Sequence, residues 1–278
     1  MSQVDTSVIG QKNGPITFSY TWKDVVFYAL SVGATEKELS FIYENAPGGL
    51  KVLPSFCIVP SHRAFPDLGE VEHSRFIHGE QEIRIFEPFA PEGVIEAEGE
   101  VTDIHDKGSG ALYCIRVRGR SRESGQDLYE ATWRIFYVGA GGFGGDRGPS
   151  REAVEVPQDR EPDFRVSERV PESQAALYRL NGDYNPLHVD PEVAKKGGFD
   201  RPILHGLCTY GYAVRAAVNS LLAGEVEPFR YFSARFSKPV FPGDTLTTEI
   251  WREEGRNLLQ VRTKAGVVLS NGVLEAES

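Results

Sequence analysis

Cysteine is scarce, positive charge is in deficit and long apolar runs are missing, and each shortage excludes something. The only cysteines, Cys57, Cys114 and Cys208, are odd in number, far apart and in no metal-ligand spacing. They form neither a disulfide framework nor a zinc site, which suits a reducing, intracellular compartment. No segment approaches the roughly 18 uninterrupted apolar residues of a membrane span. The N-terminal MSQVDTSVIGQKNGP has no basic stretch followed by an apolar core, so no signal peptide is expected. The C-terminal LSNGVLEAES carries no Ser-Lys-Leu type address, and the cytoplasm is the default compartment. Lys and Arg number 30 against 40 Asp and Glu, a formal charge of -10. The average field therefore repels nucleic acid and anionic membrane surfaces, although it does not forbid a local basic pocket. What is present is a globular composition, 40% hydrophobic and 25% charged in 278 residues, enough for one large domain or two medium ones.

Residues 18–34, FSYTWKDVVFYALSVGA, space their apolar side chains for a helix after Thr21. From 75 to 138 the pattern turns to alternation with β-branched and aromatic residues, broken by Gly, Pro and Asp, and predicts antiparallel hairpins. A glycine-rich and then charged, proline-bearing stretch follows. It sets the domain boundary: an N-terminal unit over 1–145, a linker over 146–163 and a C-terminal unit over 164–278. In the second unit SERVPESQAALYRLNGD reads as a short helix opened by Pro171, RPILHGLCTYGYAVRAAVNSLL as a long apolar helix, and the remainder as strands. Arg84-I-F-E-Pro88-F-A-Pro91 is echoed by Arg235-F-S-K-Pro239-V-F-Pro242, each entering a strand, which points to two related halves. A long helix against a curved antiparallel sheet, twice over with the sheets joined edge to edge, buries both faces and removes exposed edges.

Gly139-A-Gly141-G-F-Gly144 satisfies G-x-G-x-x-G, but DRGPSREAVEVPQ follows where a dinucleotide fold needs a helix. The stretch is read as a turn, and no NAD site is expected.

Chemistry concentrates in residues 178–194, YRLNGDYNPLHVDPEVA. Gly182 permits positive φ, and Pro186 pushes Asn185 to extended geometry, so the segment is a rigid turn. It holds Asp183 and His188 together, where a carboxylate and an imidazole share a water molecule and pass its protons. By itself the pair reads more readily as a capping Asp and an ordinary His. Further on, His205 and Gly206 of PILHGLC open the long helix, where free N–H groups and the positive dipole end suit a developing oxyanion. The plainer alternative is that Gly206 only allows tight helix–sheet packing.

With these residues in view the sequence resembles the hydratase 2, or MaoC-like, (R)-specific enoyl-CoA hydratases, whose motif is approximately Y-x-x-[small]-G-D-x-N-P-[LIV]-H-x5-[AS]. Tyr178, Gly182, Asp183, Asn185, Pro186, Leu187, His188 and Ala194 match; Asn181 stands where a small residue is usual. TWKDVVFYAL, FIHGEQEIRIFEPF, DIHDKGSG, GAGGFGG, GGFDRPILHGLCTYGY and ARFSKPVFPGD extend the likeness over almost the whole chain. The resemblance implies an α+β double hotdog, long helices wrapped by one continuous curved antiparallel sheet. It implies a hydro-lyase that adds water reversibly to trans-2-enoyl-CoA, giving (3R)-3-hydroxyacyl-CoA in fatty acid metabolism, with no metal or cofactor beyond the CoA of the substrate, in a chain that pairs as a homodimer. Asp183 and His188 then bind the reacting water and the Gly206 N–H polarises the thioester carbonyl. By the same resemblance His78, Gly79, Lys107, Tyr184, Asn185, Pro186, Leu187 and Phe236 contact the acyl-CoA substrate. Without it, His78 reads as a hydrogen-bonded core His and Phe236 as a core aromatic. The competing readings are a hotdog thioesterase, with water attacking C1, and a non-catalytic acyl-CoA-binding subunit.

Overall fold

A computed structural model describes residues 4–72, 75–150 and 153–277. Residues 151–152 of the expected linker, and residues 1–3 and 278 of the termini read for targeting signals, lie outside it. The helix expected over 18–34 is shorter. Phe18 and Tyr20 are buried on either side of exposed Ser19, an alternation that belongs to strand β1 (Lys12–Tyr20). Helix α1 (Trp22–Ser31) begins after it, with Thr21 at the cap and the Asp24 carboxylate accepting the Thr21 N–H at 2.8 Å. Gly33 follows at φ +85, where an added Cβ would meet the Tyr212 ring at 2.2 Å.

Helix α2 (Leu39–Ile42) and a 3-10 turn, Pro54–Cys57, lead into α3 (Ile58–Arg63). The expected hairpins are β2 (Phe76–Ile85), β3 (Gly93–Asp106), β4 (Gly110–Ser121) and β5 (Asp127–Val138). In the second half SERV does not join a helix: Ser167, Glu168 and Arg169 complete β6 (Phe164–Arg169), and α4 (Gln174–Tyr178) starts after Ser173 rather than at Pro171. Next come α5 (Pro191–Lys196) and α6 (Gly206–Leu221), then β7 (Phe229–Phe236), β8 (Thr245–Glu253), β9 (Arg256–Thr263) and β10 (Gly266–Ala276).

All ten strands form one sheet in the order β1-β3-β4-β5-β2-β7-β10-β9-β8-β6, with every pairing antiparallel. Read outward from the centre, each half has the same order: second strand, fifth, fourth, third, first. The two R-x-x-x-P-x-x-P segments leave the equivalent strands β2 and β7 and enter β3 and β8, so the sequence echo has a topological counterpart. The halves meet where β2 pairs with β7, Glu80 opposite Arg235 and Ile83 opposite Phe232, the last two fully buried.

Because the sheet wraps it, α6 is buried on almost every side, from Leu207 to Val218. In the first half the segment Pro54–Arg63, with α3 against β3 and β4, takes the equivalent position in a shorter form. The glycine-rich segment is pinned by one carboxylate. Asp106 accepts the N–H groups of Gly108, Gly142 and Gly144 at 2.8–2.9 Å, which holds its carboxyl below the usual range. Two of its amides are thereby engaged within the fold, and among the described residues of 146–163 no helix follows it. Among the described residues no helix is long and apolar enough to cross a membrane, and Cys57, Cys114 and Cys208 are buried.

A polar tie fastens α6 to both halves. Arg215, 3% exposed, donates to the two Glu38 oxygens at 2.7 and 2.8 Å, to Glu168 and to the Val32 carbonyl at 2.9 Å. Removing the guanidinium strands two screened carboxylates. Arg215→Ala is expected to lower the unfolding free energy by about 3 kcal/mol, read as a drop in the urea midpoint at unchanged slope; an unchanged midpoint contradicts this role.

Candidate active site

The turn holding Asp183 and His188 is built as the local sequence dictates. A single 3-10 turn, Arg179–Asn181, ends at Gly182, whose φ of +122 is closed to other residues without strain. Asn185 takes φ -52 and ψ 120 ahead of Pro186, and its side-chain oxygen accepts the Leu187 N–H at 3.0 Å, capping the turn Pro186–His188. The Asp183 carboxylate accepts the Asn185 N–H at 3.2 Å. Asn181, the departure from the family motif, also has work: its amide donates to Tyr178 O at 2.9 Å and to Ser31 Oγ on α1 at 2.8 Å, tying the turn to the first half.

His188 is buried, and its Nδ1 lies 2.9 Å from the Ile203 carbonyl. A carbonyl only accepts, so Nδ1 carries the proton and Nε2 presents a lone pair. His205, the fully buried cap of α6, donates from Nε2 to the Asp183 carbonyl at 3.2 Å and stacks on His188 with centroids 3.7 Å apart and planes at 27°. The Tyr178 ring lies 5.0 Å from His205 on another side. Burial lowers the pKa of both imidazoles, and for His205 the neighbouring His188 adds to the effect.

From the first half, His78 stands on β2 and donates from Nε2 to the Glu80 carbonyl at 3.1 Å. The register with β5 shifts between His78 and Glu80, a bulge centred on Gly79, where an added Cβ would press the Arg134 carbonyl at 3.2 Å. The bulge turns the His78 ring onto Phe236 of β7, centroids 4.6 Å apart, and desolvation lowers the His78 pKa. Phe236 in turn bounds Gly206, whose added Cβ would lie 3.1 Å from that ring. The packing alternative for Gly206 is therefore present geometrically, alongside its place as first residue of α6. A narrow cleft opens beside Asp183, lined by Ile58, Val59 and His62 of the first half and by Tyr178, Asn181 and Leu207 of the second.

The structure thus gathers Asp183, His188, Gly206, His78, Gly79 and Phe236. Asn185 and Pro186 shape the turn, Leu187 packs inward against Gly197, and exposed Tyr184 lies under the Arg179 guanidinium at 5.3 Å. Lys107 stands apart, three strands from β2, roughly 14 Å of sheet at about 4.8 Å per strand, and donates to the Arg147 carbonyl. The stacking role of His205 escaped sequence reasoning; its place at a helix start was the one available signal.

Asp183, His188 and His205 place potential ligand atoms within 4.8 Å of one another. Each of the two imidazoles has one nitrogen on a backbone carbonyl and the rings stack on each other.

Comparison with known proteins decides the affiliation. Residues 153–273 match the MaoC like domain and residues 18–139 the MFE-2 hydratase 2 N-terminal domain. The chain belongs to the MaoC-like hydratase 2 family. It is 42% identical to 3-hydroxyacyl-thioester dehydratase Y of Mycobacterium tuberculosis, over 98% of each chain. It is 38% identical to the probable enoyl-CoA hydratase 2 of Dictyostelium discoideum, over 96% of this chain and 94% of that one. The crystal structure of a MaoC-like dehydratase from Phytophthora capsici superposes with a TM-score of 0.89 at 29% identity, covering 99% of this chain and 98% of the other. The doubled ten-stranded arrangement is the double hotdog.

The three imidazoles of this family site all have folded pKa values below the ordinary 6.5. Below that pH the unfolded chain binds more protons than the folded one, so the stability they contribute is complete above 6.5 and is lost as pH falls toward the lowered folded values. The urea midpoint is expected to fall between pH 6.5 and 5, and less steeply in His78→Phe; equal slopes in the two proteins contradict a neutral buried His78.

Proposed function

We propose that the chain hydrates trans-2-enoyl-CoA reversibly to (3R)-3-hydroxyacyl-CoA, without metal or redox cofactor. The observation that carries this reading is the grouping of the Asp183 carboxylate, the His188 imidazole with its Nε2 lone pair and, through His205 stacked on His188, the amino end of a 16-residue helix. Names of relatives that span the full chain supply the reaction class.

The chemistry follows from the groups. Conjugation with the thioester makes C3 electrophilic. Water held by Asp183 and the His188 Nε2 attacks C3, and its proton passes to this pair as the C–O bond forms. The electron pair of the double bond shifts onto the thioester oxygen, where the N–H of Gly206 and the dipole of α6 stabilise it. The Cys208 and Thr209 N–H groups turn to the His205 carbonyl at 3.1 and 3.2 Å, which leaves the first two amides of the helix, those of Gly206 and Leu207, outside its own bonds. Collapse of the enolate takes a proton at C2 from the same pair, and the protein returns to its starting state. Dehydration is the reverse sequence. His78 and Phe236 form the wall facing Asp183 and hold the thioester end. Tyr184, Asn185, Pro186 and Leu187 act by keeping the turn in shape, and Lys107 meets the distal part of CoA.

Following enoyl absorbance and free thiol in parallel tests the assignment. Loss of the enoyl band with no thiol release is expected. Stoichiometric thiol with the band retained identifies a thioesterase, and binding without either change identifies an acyl-CoA carrier. Asp183→Asn and His188→Gln are each expected to lower kcat by about 10²–10⁴-fold with the fold retained; near-normal turnover removes that residue from the mechanism.

A further inference from the structure

We infer that His205 is a positioning residue for this reaction: its imidazole ties the Asp183 turn to the start of α6 and fixes the plane of the His188 ring. The inference rests on the hydration reading and extends it to a residue outside the proposed catalytic pair.

His205 alone touches every part of that machinery. Its Nε2–H donates to the backbone carbonyl of Asp183, its face lies on His188 at 3.7 Å, and it is the cap residue immediately before Gly206. Tyr178 closes a further side at 5.0 Å, and the side chain has no measurable exposure. The His188 ring is therefore held by two constraints at right angles, the in-plane bond to Ile203 O and the stack on His205. Either alone leaves one rotation free; together they aim Nε2.

Core filling does not explain the residue. With Nε2 donating, Nδ1 is an acceptor, and it is buried with no hydrogen-bond partner. An orphaned buried acceptor destabilises a fold, and a phenylalanine of similar shape would fill the space without one. The ring is also kept from becoming a cation beside its neighbour, because burial, His188 and the Arg179 guanidinium all oppose its protonation. A stacked neutral imidazole that donates to a backbone carbonyl is a specific requirement of the site.

The test compares His205→Phe, which keeps the stack and loses the donor, with His205→Gln, which keeps a donor at similar reach and loses the ring. Both are made in the full chain and assayed with crotonyl-CoA and trans-2-decenoyl-CoA. Displacing the Asp183 turn by about an ångström is expected to lower kcat of the Phe variant by about 100-fold. KM should stay within about threefold and the melting temperature should be unchanged or higher, because ground-state binding and core packing are retained. The Gln variant is expected to recover about tenfold of that kcat. Wild-type kcat in the Phe variant, a Gln variant no faster than the Phe variant, or a Phe variant that loses its fold overturns the inference. A wild-type chain inactive on both thioesters removes the hydration reading, and this inference with it.

Discussion

Pairing of β2 with β7 is the constraint on which the site depends. Backbone hydrogen bonds between the central strands of the two halves make one sheet from two and place Ile83 against Phe232 in a continuous core. The same register brings His78 to Phe236, and through Phe236 to Gly206. A second set of contacts locks the angle between the halves. The carbonyls at the end of α1 accept from Gln174 and Arg215, and Ser31 accepts from Asn181 on the Asp183 turn. The proposed catalytic groups lie almost wholly in the second half, yet the cleft they face exists because the first half is clasped to it.

Within that frame the hydrogen bonds set the chemistry. Backbone carbonyls at Ile203, Asp183 and Glu80 each take an imidazole N–H, fixing three tautomers without a second carboxylate. Burial keeps the rings neutral, so a base is available at ordinary pH. In the proposed reaction the polarity of α6 supplies the electrophilic end of the site from the backbone, which an acidic chain provides without a cluster of cations. The charge of -10 argues against nucleic acid as a partner and says little about a pocket whose field comes from oriented amides.

What was legible in the sequence was local. Gly182 and Pro186 act on adjacent φ and ψ, so the turn could be derived from their covalent geometry, and the glycines of GAGGFGG lacked the helix that a phosphate loop requires. The long helix and the strands from 75 onward followed from periodicity. Strands β1 and β6 did not, because edge strands bury few side chains and their pairing partners, β3 and β8, lie far away in sequence. The same limit applied to the site. No spacing rule tells that Asn181 reaches Ser31, 150 residues away, or that His188 and His205 stack. Lys107 shows the converse: the resemblance sets it on the substrate, and only the sheet order shows that it stands three strands from β2.

The central claim is that one cluster, Asp183 with His188 steadied by His205, handles both the hydroxyl and the proton from one side of the substrate. The most direct measurement is the relative configuration at C2 and C3 of the hydroxyacyl product formed in D2O, read by NMR. A single proton-handling face requires deuterium at C2 syn to the new hydroxyl, whereas anti addition would contradict it, since the proton would then come from a group other than this pair.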